Sequence, residues 1–314
     1  MEEHPLPVSV VIPAYRRPDL VERAIRSVQA QTAAPAELIV VDDASGDGTG
    51  SRAADLGARV VTHERNQGEG AARNSGIEAA RHEWVALLDS DDEWLPEHLE
   101  TLWAAHDGHV LVGTAILGMG SGANHHRVFG WTGRRPRVLR GPADVAVPDS
   151  KLTASSVLVR REAALRAGGF RPLKRASDLD MWLRLLQLGS ALAIPRVTAL
   201  YHVHDDQVSA DPRRMHESHK SVLDEHAREP WCTPALRRRH EGVLAWDTAR
   251  GALAAGAPRW RTLAGLAREL AHPQRAAGVA QLLAGRLSRR RAAAAAVREL
   301  GDAVRELGSA EPRA

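Results

Sequence analysis

Residues 8–92 repeat one arrangement: an apolar, β-branched run closed by turn-forming residues, then a stretch whose apolar positions recur at helical spacing. The run VSVVIPAY (8–15) is followed by PDLVERAIRSVQAQ (18–31), where Val21, Ala24, Ile25 and Val28 fall at i, i+3, i+4 and i+7. ELIVVDDAS (37–45) reads as a second buried strand, and ARVVTHERN (58–66) as a third after a short helix around 50–56. EGAARNSGIEAAR (69–81) is helical in pattern, and EWVALLDSDD (83–92) supplies a fourth strand. Strands that alternate with helices require crossover connections. The expected result is an α/β fold whose mostly parallel sheet is covered on both faces.

Polar residues cluster where these strands end. Tyr15 to Arg17 follow the first strand, Asp42 and Asp43 close the second, and Asp89 to Asp92 close the fourth. Ligands of open α/β sheets bind outside the carboxyl ends of the strands, so the three clusters are expected to share one site. The stretch VALLDSDDEW (85–94) is the most demanding of them, because Asp89, Asp91, Asp92 and Glu93 repel one another unless something offsets their charge. Carboxylates separated by one small residue, as in Asp89-Ser90-Asp91, suit a hard divalent cation that keeps open positions for phosphates. A helix cap would use one of the four acids and is the simpler alternative.

Four segments in order, VSVVIPAYRRPDLVERAIRSVQAQT, ELIVVDDASGDGT, NQGEGAARNSGIEAA and WVALLDSDDEWLPEHL, closely resemble the inverting family 2 glycosyltransferases with the GT-A fold. The resemblance is continuous over about the first 105 residues and returns in patches to about residue 210. It implies a Rossmann-like catalytic domain over 1–212, with 213–314 left as a helical appendage. It also implies that Pro13, Ala14 and Tyr15 line a nucleotide pocket, that Asp43 holds the base, and that Arg73 lies near the same nucleotide. In the DXD segment Asp89 is then expected to face the ribose and Asp91 to bind Mn2+ or Mg2+ bridging the diphosphate, with Asp92 as an outer support.

An inverting transferase moves the sugar in one in-line displacement at the anomeric carbon, helped by a carboxylate that takes the acceptor proton. ASDLDMWLRLLQLGS (176–190) resembles the family's acceptor segment, which makes Asp178 the expected base and places Asp180 and Trp182 in support of the acceptor site. Ser177 departs from the family pattern, which commonly has Glu there. Ser177-Asp178 also reads as an N-cap for a helix whose apolar side is Met181, Leu185 and Leu188. LYHVHDDQVS (200–209) resembles a segment that closes over the donor, with His204 at a position suited to the metal or the diphosphate. His125 and His126 are adjacent and so diverge on regular elements, which makes them surface residues by expectation.

Composition narrows the alternatives. The Gly-rich start of sugar-phosphate nucleotidyltransferases is missing, because the first strand runs into IPAYRRPD. A non-catalytic nucleotide-sugar binder remains open through Ser177. Nucleic-acid binding is not expected, since the acidic strand ends repel phosphate and no recognised module is present. The acidic N-terminal stretch MEEHPLPVSVVIP lacks a secretory pattern and no run nears about 20 apolar residues, so a cytoplasmic protein is expected. Cys232 is the only cysteine and reads as a buried thiol.

The segment GWTGRRPRVLRGPADVAVPDSK, rich in Gly, Pro and Arg, reads as a long acceptor-facing loop, and TASSVLVRREAALRAGGF (153–170) as a strand, a short helix and a glycine stop. Beyond about 212 the composition turns to Ala, Leu and Arg, with helical stripes at Leu263, Leu266 and Leu270 and at Val297, Leu300, Val304 and Leu307. Two to five helices are expected there, packed on the catalytic part or on a second subunit as a homodimer. Contact with an anionic membrane surface, delivering the enzyme to a lipid-linked acceptor, is a sharper but weaker alternative for this region, because its apolar faces are Ala-rich and shallow. Donor and acceptor stay open between a UDP-, dTDP- or GDP-sugar and a glycan, lipid-linked, small-metabolite or peptide hydroxyl.

Overall fold

The computed structural model describes residues 4–120, 128–146, 152–203, 212–254 and 256–284. In chain order they form β1 (Leu6–Ala14), α1 (Pro18–Gln29), β2 (Pro35–Asp42), α2 (Thr49–Asp55), β3 (Arg59–Thr62), α3 (Glu69–Ala79), β4 (Trp84–Leu87), β5 (Glu93–Trp94) and α4 (His98–Trp103). Then come β6 (Leu111–Gly120), β7 (Val128–Phe129), β8 (Arg137–Leu139), α5 (Pro142–Val145), a 3-10 turn (Ala154–Ser156), β9 (Val157–Arg160), α6 (Arg161–Arg166), α7 (Ser177–Leu185) and β10 (Ala191–Val203). Helices α8 (Pro212–Glu225), α9 (Pro234–Ala254), α10 (Arg259–Leu270) and α11 (Pro273–Ala284) complete the described chain.

The sheet order is β3-β2-β1-β4-β9-β6-β10-β5, with β7 paired to β6 and β8 to β10. Strands β3, β2, β1 and β4 are mutually parallel, as are β6 and β10. The short β9 lies antiparallel between β4 and β6. Four short strands therefore run against the common direction, and the sheet is mixed rather than uniformly parallel.

Both faces of β1 are buried, as a covered sheet requires. Val8, Val10 and Ile12 pack with Val21, Ala24, Ile25 and Val28 of α1, while Val11 joins Ala72 and Ile77 of α3 on the other face. The predicted stripe of α1 is the buried one, with every member at most 1% exposed. Truncating Ile25 in such a core costs about 2–5 kcal/mol. Helix α3 approaches β1 closely at Gly76, where an added Cβ would lie 2.2 Å from a Val11 methyl. Only a residue without a side chain leaves that room.

Helix α7 runs through the core on the α3 face. Met181, Trp182 and Leu185 are buried, and Trp182 donates its indole N–H to the Leu152 carbonyl at 2.8 Å. Ser177 is not its cap: the helix is entered from Ala176, a non-glycine residue at φ 57°, and Ser177 is its first helical residue. Leu188 lies beyond the helix and is exposed, so it is not part of the apolar side.

The region after 212 is tied to the rest. Val222 and Leu223 of α8 belong to the same core cluster as Trp182. Cys232 is buried, and burial raises its thiol pKa. Helices α9 and α11 meet backbone to backbone, since a Cβ on Gly242 would strike the Arg275 carbonyl and one on Gly278 the Arg239 carbonyl. The expected Leu263-Leu266-Leu270 stripe divides, with Leu266 buried and Leu263 exposed. Its companion at Val297 to Leu307 lies outside the described residues, as do His125 and His126. Among the described residues no helix is long and apolar enough to cross a membrane.

Candidate functional site

The carboxyl ends of β1, β2 and β4 carry the three polar clusters, and the backbone there is unusual. Arg16 after β1 (φ 52°), Ala44 after β2 (φ 61°) and Ala176 before α7 (φ 57°) are the non-glycine residues with left-handed backbone among those described. Such conformations cost energy and persist where surrounding contacts impose them. The Arg16 N–H donates to Ser45 Oγ at 2.9 Å and the Arg17 N–H to Thr49 Oγ1 at 3.0 Å, binding the β1 and β2 ends together. Pro13 and Ala14 are buried in the strand end, while Tyr15 is 39% exposed, with the Arg16 guanidinium over its ring.

Asp42 and Asp43 differ in role. Asp42 Oδ1 accepts the Ser45 N–H at 3.0 Å and closes the turn after β2. Asp43 is 2% exposed, and its Oδ1 accepts from the Gln67 N–H at 2.9 Å and lies 2.7 Å from His63 Nδ1. Its Oδ2 accepts the Gly68 N–H at 2.8 Å. The second His63 nitrogen lies 2.8 Å from Ser75 Oγ, so the ring is clamped between β2 and α3. Beside it opens a depression of about 460 Å3 lined by Thr62, His63, Glu64, Arg65 and Gln67.

The acids after β4 separate by environment. Asp89 Oδ1 accepts from Arg73 at 2.6 Å, and Asp91 Oδ2 from Arg17 at 2.6 Å. Both side chains stay partly exposed, at 21% and 15%. Asp92 is buried, with its Oδ2 taking the Ser155 hydroxyl at 2.5 Å and its Oδ1 the His202 N–H at 3.2 Å. Burial raises its pKa well above the usual carboxylate range, and the charges of Asp89 and Asp91 push the same way. Asp92 thus joins the DSDD loop to β10 and to the 3-10 turn.

Arg73 is buried against the Phe170 ring and also pairs with Glu69. Burial opposes its charge, but Asp89 and Glu69 outweigh that and raise its pKa. Glu69 is pushed up to about 7, by desolvation first and then by Asp89, Asp91 and Asp178, with Arg73 opposing. Asp178, far along the chain, lies within electrostatic reach of Glu69 and Arg73. It sits in the first turn of α7, where its Oδ1 accepts the Leu179 N–H at 2.8 Å.

Asp180 and Trp182 sit deeper. Asp180 is fully buried, with its carboxylate held by Arg171 and Arg184, and Trp182 is 1% exposed. They brace α7 from behind and do not face the cleft. His204 lies outside the described residues. Two participants have no sequence signal that singled them out: Glu69, which meets the charge of Asp89 and Asp91, and Ser155, which holds Asp92 and accepts the Asp89 N–H at 3.1 Å. Arg17, one of the residues expected at the end of β1, binds Asp91.

Among the described residues no three His, Cys, Asp or Glu side chains form a metal-holding group. Asp89 and Asp91 nevertheless fit a hard cation in donor type and exposure, and Arg73 and Arg17 each hold one oxygen of these carboxylates.

The Glycosyl transferase family 2 profile matches residues 9–159. The succinoglycan biosynthesis protein ExoO of Rhizobium meliloti is 32% identical over 242 residues, covering 69% of this chain and 67% of that protein. The putative teichuronic acid biosynthesis glycosyltransferase TuaG of Bacillus subtilis is 41% identical over 98 residues, covering 30% of this chain and 39% of that one. Among solved structures, S. aureus TarS 1–349 in complex with UDP-GlcNAc superimposes with a TM-score of 0.58 at 20% identity, over 76% of this chain and 71% of its own. The mannosyltransferase PcManGT of Pyrobaculum calidifontis, in complex with GDP-Man and Mn2+, gives 0.57 at 22% identity over 96% and 90%. These two likenesses establish the fold, a central sheet flanked by helices as in GT-A enzymes.

Proposed function

The chain belongs to the family 2 glycosyltransferases, and from that premise we propose that it moves a sugar from a nucleotide-diphosphate donor to an acceptor hydroxyl with inversion at the anomeric carbon. The observation that carries this reading is the pairing of Asp89 and Asp91 with Arg73 and Arg17 at the carboxyl ends of β1 and β4, with Glu69 on the same Arg73. A catalytic part over 1–212 and a helical appendage over 213–314 belong to the same proposal.

The donor is UDP-linked by preference. Its base lies against Pro13, Ala14 and Tyr15 and donates to Asp43, whose Oδ2 has accepted one hydrogen bond and retains room for a second. Arg73 faces the same nucleotide, and Asp89 receives the ribose. Asp91, with His204, would hold Mn2+ or Mg2+, which when bound supplies positive charge to the leaving diphosphate. Arg17, already on Asp91, reinforces the positive charge on that side.

Asp178 acts as the base. From the first turn of α7 its carboxylate takes the acceptor proton as the hydroxyl attacks. Asp180 and Trp182 support the acceptor site by fixing α7 from within the core. Relatives named for polysaccharide biosynthesis support a glycan-type acceptor.

Calorimetric titration of UDP, dTDP and GDP, with and without Mn2+, tests the donor half on the wild type and Asp91→Ala. Metal-dependent binding that disappears in the variant is expected. A folded protein that binds none of the three overturns the proposal.

A further inference from the structure

The catalytic cleft leaves one surface unexplained, on helix α10. Trp260 is 69% exposed and Leu263 is 53% exposed, the two most exposed large apolar side chains among the described residues. With Ala264 and Ala267 they follow i, i+3, i+4, i+7 spacing and make one outward face, while Leu266 anchors the opposite side. A solvent-exposed tryptophan of this size is costly to leave in water and is the side chain best suited to an interface that is apolar on one side and wet on the other.

Charge frames the stripe. Arg259, Arg261 and Arg268 are exposed and have no acidic partner among the described residues, and the Arg261 guanidinium lies over the Trp260 ring, 5.0 Å from its centroid. The one acid of the helix, Glu269, is already taken by Arg275 at 2.6 Å. The asymmetry extends along the sequence. Residues 256–300 hold nine arginines and two glutamates, a net +7, whereas the whole chain carries +3, so the remaining residues together carry −4. The basic charge of the chain is thus concentrated on the segment that bears the exposed tryptophan.

We propose that the α10 face is a docking surface for an anionic lipid membrane: Trp260 and Leu263 enter the headgroup boundary, while Arg259, Arg261 and Arg268 meet lipid phosphates. A shallow stripe with one aromatic anchor gives reversible attachment, strengthened by each arginine near the charged surface. An acidic catalytic part is then held by its basic end, with the opposite charge directed away from the bilayer. This inference stands apart from the catalytic reading, since none of its residues lies in the cleft.

Flotation of the full chain with vesicles of phosphatidylcholine alone, or mixed with phosphatidylglycerol, tests it. Binding only to the anionic vesicles, at least tenfold weaker in Trp260→Ala/Leu263→Ala and in Arg259→Gln/Arg261→Gln/Arg268→Gln, is the expected result. High salt should weaken it. More than half exposed, Trp260 and Leu263 can be removed without loss of folding, and unchanged melting and nucleotide titrations of the variants check this independently. Wild-type protein left at the bottom with anionic lipid overturns the proposal, as does flotation that both variants retain. Sedimentation that shows a dimer lost in Trp260→Ala, without flotation of the wild type, assigns the face to a second copy instead.

Discussion

His226 Nε2 lies 3.4 Å from Asp180 Oδ1, so a residue beyond α8 reaches the carboxylate that braces α7. Glu225 pairs with Arg171 at 2.7 Å in the same network. The segment after residue 212 is therefore fastened to α7, the helix that carries Asp178.

Burial alone would raise the Asp180 pKa, but hydrogen bonds from His226, Arg171 and Arg184 outweigh it and hold the group well below the carboxylate range. A depressed acid gives stability that is present above its unfolded value of about 4 and is lost as pH falls toward the folded one. Asp180→Asn leaves the Arg184 guanidinium without its counter-charge and Arg171 with Glu225 alone, and is expected to cost about 3–5 kcal/mol, read from urea unfolding at pH 7.

Asp178→Asn keeps the shape of the first turn of α7 and removes the carboxylate proposed as the proton acceptor. Transfer should fall by a factor of at least about 100, with nucleotide titration within twofold of wild type. Unchanged turnover would take the base role away from Asp178.

His98 is wholly buried, stacked on Trp94, with Nδ1 at 2.7 Å from Thr198 Oγ1 and no partner for Nε2 among the described residues. Desolvation pushes its pKa down to about 3. The folded state keeps the ring neutral while the unfolded chain takes up a proton below about pH 6.5, so stability drops as pH falls through that range. Unfolding free energies from urea titrations at pH 7 and pH 5 should differ by about 2 kcal/mol more in wild type than in His98→Gln.

Gly76→Ala gains helix propensity of about 1 kcal/mol but drives a methyl into Val11. A net loss of about 1–3 kcal/mol is expected from overpacking, largely recovered in Gly76→Ala/Val11→Ala. A variant as stable as wild type would show that α3 can shift off β1.

Much of this molecule was legible in the first hundred residues, because period-2 and period-3.6 patterns report burial directly. Val21, Ala24, Ile25 and Val28 face the core as their spacing requires. The DSDD loop and Asp43 stand where strand ends place them. Ser177 was misread as a cap because local sequence does not reveal that Ala176 takes a left-handed backbone. Nor does it reveal that Glu69, in an ordinary helical stretch, would meet the charge of Asp178, since tertiary folding alone brings them together. Leu263 and Leu266 share a helical period yet face opposite environments, a choice made by what α10 packs against.

The position of β9 between β4 and β6 sets an order of assembly on the growing chain. Strands β1 to β4 can pair soon after residue 87 is made, but the free edge of β4 waits for residues 157–160. At about 5–20 residues per second the intervening stretch takes roughly 4–14 s to synthesise. Through that interval an apolar strand edge is open to any other nascent chain, which places the period of greatest need for a chaperone in the middle of translation.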